Sequence, residues 1–195
     1  SSQARIIDDL LDVARVRTGK LKLKRMPIDL GKVLSEIHGV LLSHHPKRPI
    51  SLTLPTDGAA LMVDADPTRL EQIIWNLVNN ALKFTPNGGR VQLIASQDGR
   101  MARLDVKDSG VGIAAEHLNE VFDLFGQAET QHATHQRAGL GIGLSLVRQL
   151  TEAHGGSVEV KTLSAFDLPG ALLLNPNFGS YTGSILGFEL SLTVN

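Results

Sequence analysis

Three short stretches of this chain carry residues suited to gripping a charged ligand. In NLVNNALKF (76–84), Asn76, Asn80 and Lys83 fall at i, i+4 and i+7, a polar line almost opposite an apolar helical stripe. Asparagine is a poor helix former, and solvation alone does not require two in register. An amide oxygen is a hard, neutral ligand of the kind Mg²⁺ accepts, and a lysine one turn on can meet a phosphate. A solvated helix face would show the same line, for Lys83 above all. In DSGVGI (108–113), Asp108 closes a predicted strand and places a carboxylate at the sheet rim, where it can accept from an exocyclic amine such as that of adenine. Gly110 and Gly112 permit positive φ and close backbone approach to a flat ligand. A plain strand-to-helix turn reads the same way. In GLGIGL (139–144), Gly139, Gly141 and Gly143 open a helix. The orphan N–H groups and dipole of a helix start favour an anion, so 139–143 is expected to cradle a phosphate. Neither the G-x-x-x-x-G-K-[ST] nor the G-x-G-x-x-G pattern occurs, and the eukaryotic-type protein-kinase motifs are absent. Mere flexibility is the competing reading of the glycines.

These stretches need elements to place them. The spacing predicts a helix from Asp66, an N-cap with Pro67 at the first helical position, carrying the stripe Leu70, Ile73, Ile74, Leu77, Val78, Ala81 and Leu82. TPNGG (85–89) ends it. RVQLIAS and MARLDVK flank Asp98-Gly99, a hairpin signal. A short helix is expected around 115–122. Residues 126–138 are polar and aperiodic and read as a mobile loop. The helix opened by the glycines ends at His154-Gly155-Gly156, with His154 read as a favourable residue at the negative dipole end. SVEVKT and LGFELSLTV are closing strands. Upstream, ISLTL (50–54) and ALMV (60–63) are short strands, and Asp29 caps a helix bearing Leu30, Val33, Leu34, Ile37 and Leu41. Residues 5–17 form a helix with Ile6, Leu10, Val13 and Ala14 on one face, Ile7 and Leu11 beside it, and Asp8, Asp9, Asp12, Arg15 and Arg17 on the rest. It is either a terminal helix docked on its own domain or one member of a bundle. The mixture without regular β-α-β alternation predicts an α+β fold, a two-layer α/β sandwich with one mixed sheet and helices on a single face, preceded by an N-terminal helix.

Composition narrows the function. The chain has 195 residues, 42% of them apolar, which suffices for one sizeable core. A net charge of −1 supplies no basic field, so no nucleic-acid partner is expected. With no cysteine, disulfides, zinc-thiolate sites and thiol catalysis are excluded. No apolar run reaches membrane-spanning length and the start is not a signal peptide, consistent with a cytoplasmic location. His132 and His135 have a metal-like spacing but no companion ligands.

Taken in order, NLVNNALKFTP, DSGVGI, FDLF with Phe122 and Phe125, and GLGIGL resemble the ATP-binding catalytic domain of bacterial sensor histidine kinases, within the ATPase superfamily of gyrase, the ninety-kilodalton heat-shock chaperone and the mismatch-repair ATPases. The match runs from about residue 60 to 160. RIIDDLLDVARVRTGKLKLKRMPIDL looks like the end of the second helix of the kinase dimerisation domain, which implies a division into 1–20 and 21–195. The resemblance implies a Bergerat-type fold, ATP and Mg²⁺ as cofactors, Asn80 as the Mg²⁺ ligand, Asn76 on the phosphate side and Lys83 on a phosphate. It implies Asp108 reading adenine with Gly110 and Gly112 beneath the base. Phe122 and Phe125 would pack the base of an ATP lid (126–138). Gly139, Leu140, Gly141, Gly143 and Leu144 would lie at the triphosphate. Arg137 would meet the γ-phosphate or remain a solvated loop charge.

The acceptor in that family is a histidine followed by an acidic residue on a dimerisation helix. None of the seven histidines here is followed by Asp or Glu. The chain is therefore expected to bind ATP·Mg without autophosphorylating alone. A phosphoacceptor helix, a response-regulator receiver domain and a second copy are its implied partners. A non-catalytic nucleotide-responsive module is the alternative. A hydrolase would want an acidic base on the asparagine helix, and Glu71 lies off the asparagine line. Residues 163–182 depart from the family as an insertion whose role stays open.

Overall fold

The computed structural model describes residues 2–56, 58–124, 141–163 and 183–191. The expected lid, most of the 163–182 insertion, and Phe125, Arg137, Gly139 and Leu140 lie outside the described residues.

Among the described residues four helices and seven strands follow in the order α1 (Ser2–Arg17), β1 (Met26–Asp29), α2 (Leu30–His44), β2 (Ile50–Thr53), β3 (Met62–Ala65), α3 (Pro67–Phe84), β4 (Val91–Asp98), β5 (Met101–Asp108), α4 (Gly143–Ala153), β6 (Ser157–Leu163) and β7 (Gly183–Ser191). The main sheet runs β2-β4-β5-β7-β6, with β2 parallel to β4 and every other pair antiparallel. It is the expected mixed sheet. The structure adds an antiparallel ribbon of β1 and β3 beside it. That ribbon delivers the chain to the caps of two helices. Asp29, its last β1 residue, accepts from the Gly31 amide at 3.0 Å, and Asp66, just past β3, accepts from the Arg69 amide at 3.2 Å. LKLKRMPID (21–29) alternates in sequence, yet the strand starts only at Met26, and the Lys24 amide goes to the Asp66 carboxylate at 2.8 Å.

β4 and β5 alternate as period 2 demands. Val91, Leu93, Ala95, Ala102, Leu104 and Val106 point into the core, and the polar residues between them line the other face. Their hairpin turns at Gly99, with φ 56°. Against the apolar face lies α3, whose Leu70, Ile73, Ile74, Leu77, Val78 and Ala81 are essentially sealed from solvent. Truncating one such leucine to alanine would cost about 2–5 kcal/mol. α4 packs beside α3 and buries Leu146, Val147 and Leu150. The short helix expected at 115–122 contracts to one 3₁₀ turn, Ala115–His117, because the amides that follow bond three residues back, from Glu120 to His117 and from Asp123 to Glu120.

α1 docks on α4 through part of its apolar face. Val13 is buried, whereas Ile7 (58%), Leu10 (38%) and Leu11 (49%) are exposed, so one helix shows both the docking and the unpartnered stripe that its pattern left open. Asp12, read as a solvent-face residue, is buried instead. Its carboxylate takes both terminal nitrogens of Arg69, one at 2.9 Å, and the Gln72 amide at 3.2 Å. Arg25 donates to the Ala153 carbonyl at 2.6 Å, so the α1–β1 connection is also tied to the end of α4.

His154 corrects another expectation. It is buried, its Nδ1 donates to the Leu150 carbonyl at 2.7 Å, and its Nε2 accepts from the Asp66 amide at 3.1 Å. This bonding pattern requires a neutral ring. Burial pushes its pKa down, and Arg25 adds to that against the Leu150 carbonyl and the charges of Asp66 and Asp64. Burial raises the Asp66 carboxyl, but the amides of Lys24, Arg69 and Thr68 and the Arg69 charge outweigh it and hold it below the ordinary carboxylate range. The unfolded imidazole, titrating near 6.5, binds a proton more readily than the folded one. The contribution of His154 is thus complete above that value and declines as pH falls beneath it. Denaturant titrations at pH 7.5 and 5.5 should show the protein losing stability between the two and His154→Gln losing less. Equal losses would mean the imidazole does not govern this window, since the Asp66 effect lies below about pH 4.

Candidate functional site

The last two turns of α3 carry Asn76, Asn80 and Lys83 on the face turned away from the core. The first turn of α4 and the exit of β5 flank that helix. Asn76 reaches α4 directly: a Cβ on Gly143 would stand 3.7 Å from its Oδ1 and 3.8 Å from its Cγ. The structure therefore brings the asparagine stretch and the glycine stretch together. The Asn76 Nδ2 is fully buried with no acceptor among the described residues. Such an orphan donor is costly unless something accepts from it, and a phosphate oxygen would.

Lys83 is half-buried, with its Nζ 4.8 Å from the centroid of the Phe84 ring. Burial lowers its pKa, and no carboxylate among the described residues pairs with it. A partly desolvated cation without a counter-charge favours an incoming anion.

The β5 exit meets the end of α3. Asp108 is buried and its Oδ1 accepts from the Gly110 amide at 2.7 Å, which folds the chain into a tight turn. A Cβ on Gly110 would stand 2.5 Å from the Phe84 carbonyl oxygen, 2.9 Å from its carbon and 2.7 Å from Asp108 Oδ1. One close approach that Gly110 serves is thus to the protein's own backbone at the end of α3. Among the described glycines of DSGVGI and GLGIGL, Gly112 (φ 72°) and Gly141 (φ 67°) take left-handed backbone. Gly143 is neither strained nor crowded, and Leu144 after it is half-buried against the core. Phe122 packs on the same core. Asn80 is half-buried on the polar line, and Glu71 is exposed.

Two supporting residues, Ser109 and Arg48, were not singled out in the sequence. Ser109 accepts from the Arg90 amide at 2.9 Å and returns its own amide to the Arg90 carbonyl at 3.1 Å. Arg48, in the loop after α2, donates from Nη1 to the carbonyls of Leu82 (2.8 Å) and Thr85 (3.2 Å). It satisfies two of the carbonyls that a helix end leaves open. Nothing in SHHPKRP announces this, because the acceptors lie more than thirty residues away.

The sequence model described as "Histidine kinase-, DNA gyrase B-, and HSP90-like ATPase" matches residues 65–186, well over half the chain. The chain belongs to this ATPase family. Its relatives in the family are sensor kinases. An uncharacterised sensor-like histidine kinase of Rhizobium meliloti is 32% identical over 157 residues, covering 80% of this chain and 30% of that protein. The aerobic respiration control sensor ArcB of Escherichia coli is 31% identical over 80% of this chain and 20% of its own length. The histidine protein kinase DivJ of Caulobacter vibrioides is 35% identical over 80% and 26%. The chain thus spans less than a third of each of these relatives. Among solved structures, full-length ShkA in complex with AMPPNP superposes with a TM-score of 0.72 at 28% identity, covering 98% of this chain and 36% of that one. The catalytic domain of the histidine kinase ThkA superposes at 0.67 with 24% identity, a likeness of fold. This chain corresponds to the ATP-binding catalytic domain of the sensor histidine kinases.

The two glycines should part company on substitution. Gly110→Ala drives a Cβ into backbone that cannot rotate away and should cost about 1–3 kcal/mol. Gly143→Ala meets only ordinary contacts and should stay within about 0.5 kcal/mol of wild type. Thermal melts read both, and equal losses would show that Gly110 is not held against α3.

Proposed function

We propose that this domain passes the γ-phosphoryl group of ATP·Mg to a histidine imidazole on a dimerisation helix, and that the phosphate moves on to a response-regulator receiver domain. The observation that carries the reading is the presence, on α3, of a half-buried Lys83 that no carboxylate among the described residues neutralises and of a buried Asn76 amide, beside the start of α4, with no acceptor among them. Both want an anion, and a triphosphate supplies oxygens for both. Bound ATP·Mg supplies the transferable phosphoryl group and the metal charge that such a transfer requires.

The chain's own part is positioning and electrostatics. Lys83 would hold a phosphate oxygen by charge, and the Asn76 amide would donate to another. Asn80 would offer its amide oxygen to Mg²⁺. Among the described residues no cluster of three His, Cys, Asp or Glu side chains is built to hold a metal, so the ion would draw its remaining ligands from phosphate and water. The amides around Gly141 and Gly143, with Gly139, Leu140 and Leu144, would lie along the phosphates at the α4 N-terminus. Asp108, held in place by its bond to the Gly110 amide, would accept from the adenine amine, with Gly110 and Gly112 beneath the base. Phe122 and Phe125 would anchor the lid, and Arg137 would reach the γ-phosphate from it.

The acceptor would come from another segment, since no histidine here is followed by an acidic residue. We assign α1 to the dimerisation domain, 21–195 to the catalytic domain, and a homodimer to the whole protein. Among the described residues no helix is long and apolar enough to cross a membrane, and we place the domain on the cytoplasmic side.

Mixing this domain with a separate acceptor helix pair and labelled ATP·Mg should transfer label to the acceptor, with binding in the micromolar-to-millimolar range, about 10⁻⁶–10⁻³ M. Asn80→Ala should abolish both metal-dependent binding and transfer. Tight binding without any transfer would favour a nucleotide-responsive module, and no calorimetric heat with ATP·Mg would remove the reading altogether.

A further inference from the structure

We infer that Arg48 is a positioning residue for the nucleotide site, acting from outside it through Lys83. The inference rests on the nucleotide reading above. Arg48 sits in the loop between α2 and β2, and its guanidinium donates to the C-terminal end of α3, to Leu82 at 2.8 Å and to the cap residue Thr85 at 3.2 Å. Between those two acceptors lie Lys83 and Phe84. Lys83 leans over the Phe84 ring at 4.8 Å, and the Phe84 carbonyl abuts Gly110, whose amide holds Asp108. One guanidinium therefore braces the short segment from which the phosphate-binding cation projects and on which the Asp108 turn rests.

A helix end is where this bracing matters. The last carbonyls of α3 have no amide to accept from within the helix. Thr85 serves the Ala81 carbonyl with its amide at 3.0 Å and its hydroxyl at 2.6 Å. Arg48 serves Leu82 and Thr85 in turn. A cation at the C-terminal end also opposes the negative pole of the helix dipole. Its own loop is fixed as well: the Arg48 amide donates to the His45 carbonyl at 3.0 Å, and the neighbouring Pro49 carbonyl accepts from the Val91 amide at 3.0 Å. The brace thus stands on the sheet. Without it the last turn can fray, and Lys83 samples directions other than the phosphate.

The test is a double-mutant cycle on ATP·Mg affinity, with Arg48→Met and Lys83→Met alone and together, below the melting range of every variant. Arg48→Met should weaken binding about five-fold in the parent chain, and by less than about two-fold once Lys83 is already methionine, because residues that act through one another are not additive. Arg48→Gln, neutral and shorter, carries the same test should Arg48→Met not fold. Equal losses in both backgrounds, or no loss in the parent, overturn the inference while leaving the site intact. If Lys83→Met itself leaves affinity unchanged, the phosphate role of Lys83 fails and the inference fails with it.

Discussion

Between the carbonyl of Phe84 and the α-carbon of Gly110 there is no room for a methyl group. That contact presses the end of α3 against the exit of β5, and the arrangement of the site depends on it. α3 is a buried helix with one polar line, and on its own it could offer amides and a lysine to solvent anywhere. Pinned at its C-terminus to the Asp108 turn, and with Asn76 facing Gly143, it sets three segments far apart in the chain beside one helix. The Asp108 carboxylate is spent partly on the Gly110 amide, which fixes the orientation of its group before any ligand arrives. Preorganisation of this kind lowers the cost of binding, because the protein need not order itself at that moment.

The other end of α3 is held by a different chemistry. Asp66 caps the helix, takes the Lys24 amide, and gives its own amide to His154 at the end of α4. Asp12 clamps Arg69 one turn along. These contacts gather α1, the α1–β1 connection, α3 and α4 at the end of α3 remote from Lys83. A shift of α1 would be felt first at Asp12 and Lys24, and the rigid rod of α3 connects that end to Lys83.

Much of this was legible in the sequence because period and caps are local. The α3 stripe, the Asp66 and Asp29 caps, the Asp98-Gly99 hairpin and the mixed sheet with helices on one face follow from spacing and turn chemistry alone. The bonding of Asp12, His154 and Arg48 was not legible, because each is decided by a partner that folding brings from elsewhere. A carboxylate on the polar side of an amphipathic helix looks solvated until an arginine nearly sixty residues away meets it. His154 looked like a helix-end cation, and burial against Asp66 made it a neutral acceptor. The pattern DSGVGI marked Gly110 as backbone that must be bare, but not that the Phe84 carbonyl of α3 stands against it. Spacing shows where backbone must be bare; only the fold shows what approaches it.

The central claim is that Asn80, Asp108 and Gly141 address a single ligand. Titrating isotope-labelled protein with ATP·Mg, and following the side-chain amides of Asn76 and Asn80 together with the backbone amides of Gly110 and Gly141, tests it most directly. Resonances from all three segments should move along one binding curve with one dissociation constant. Movement confined to one segment, or midpoints that differ between segments, would contradict the account.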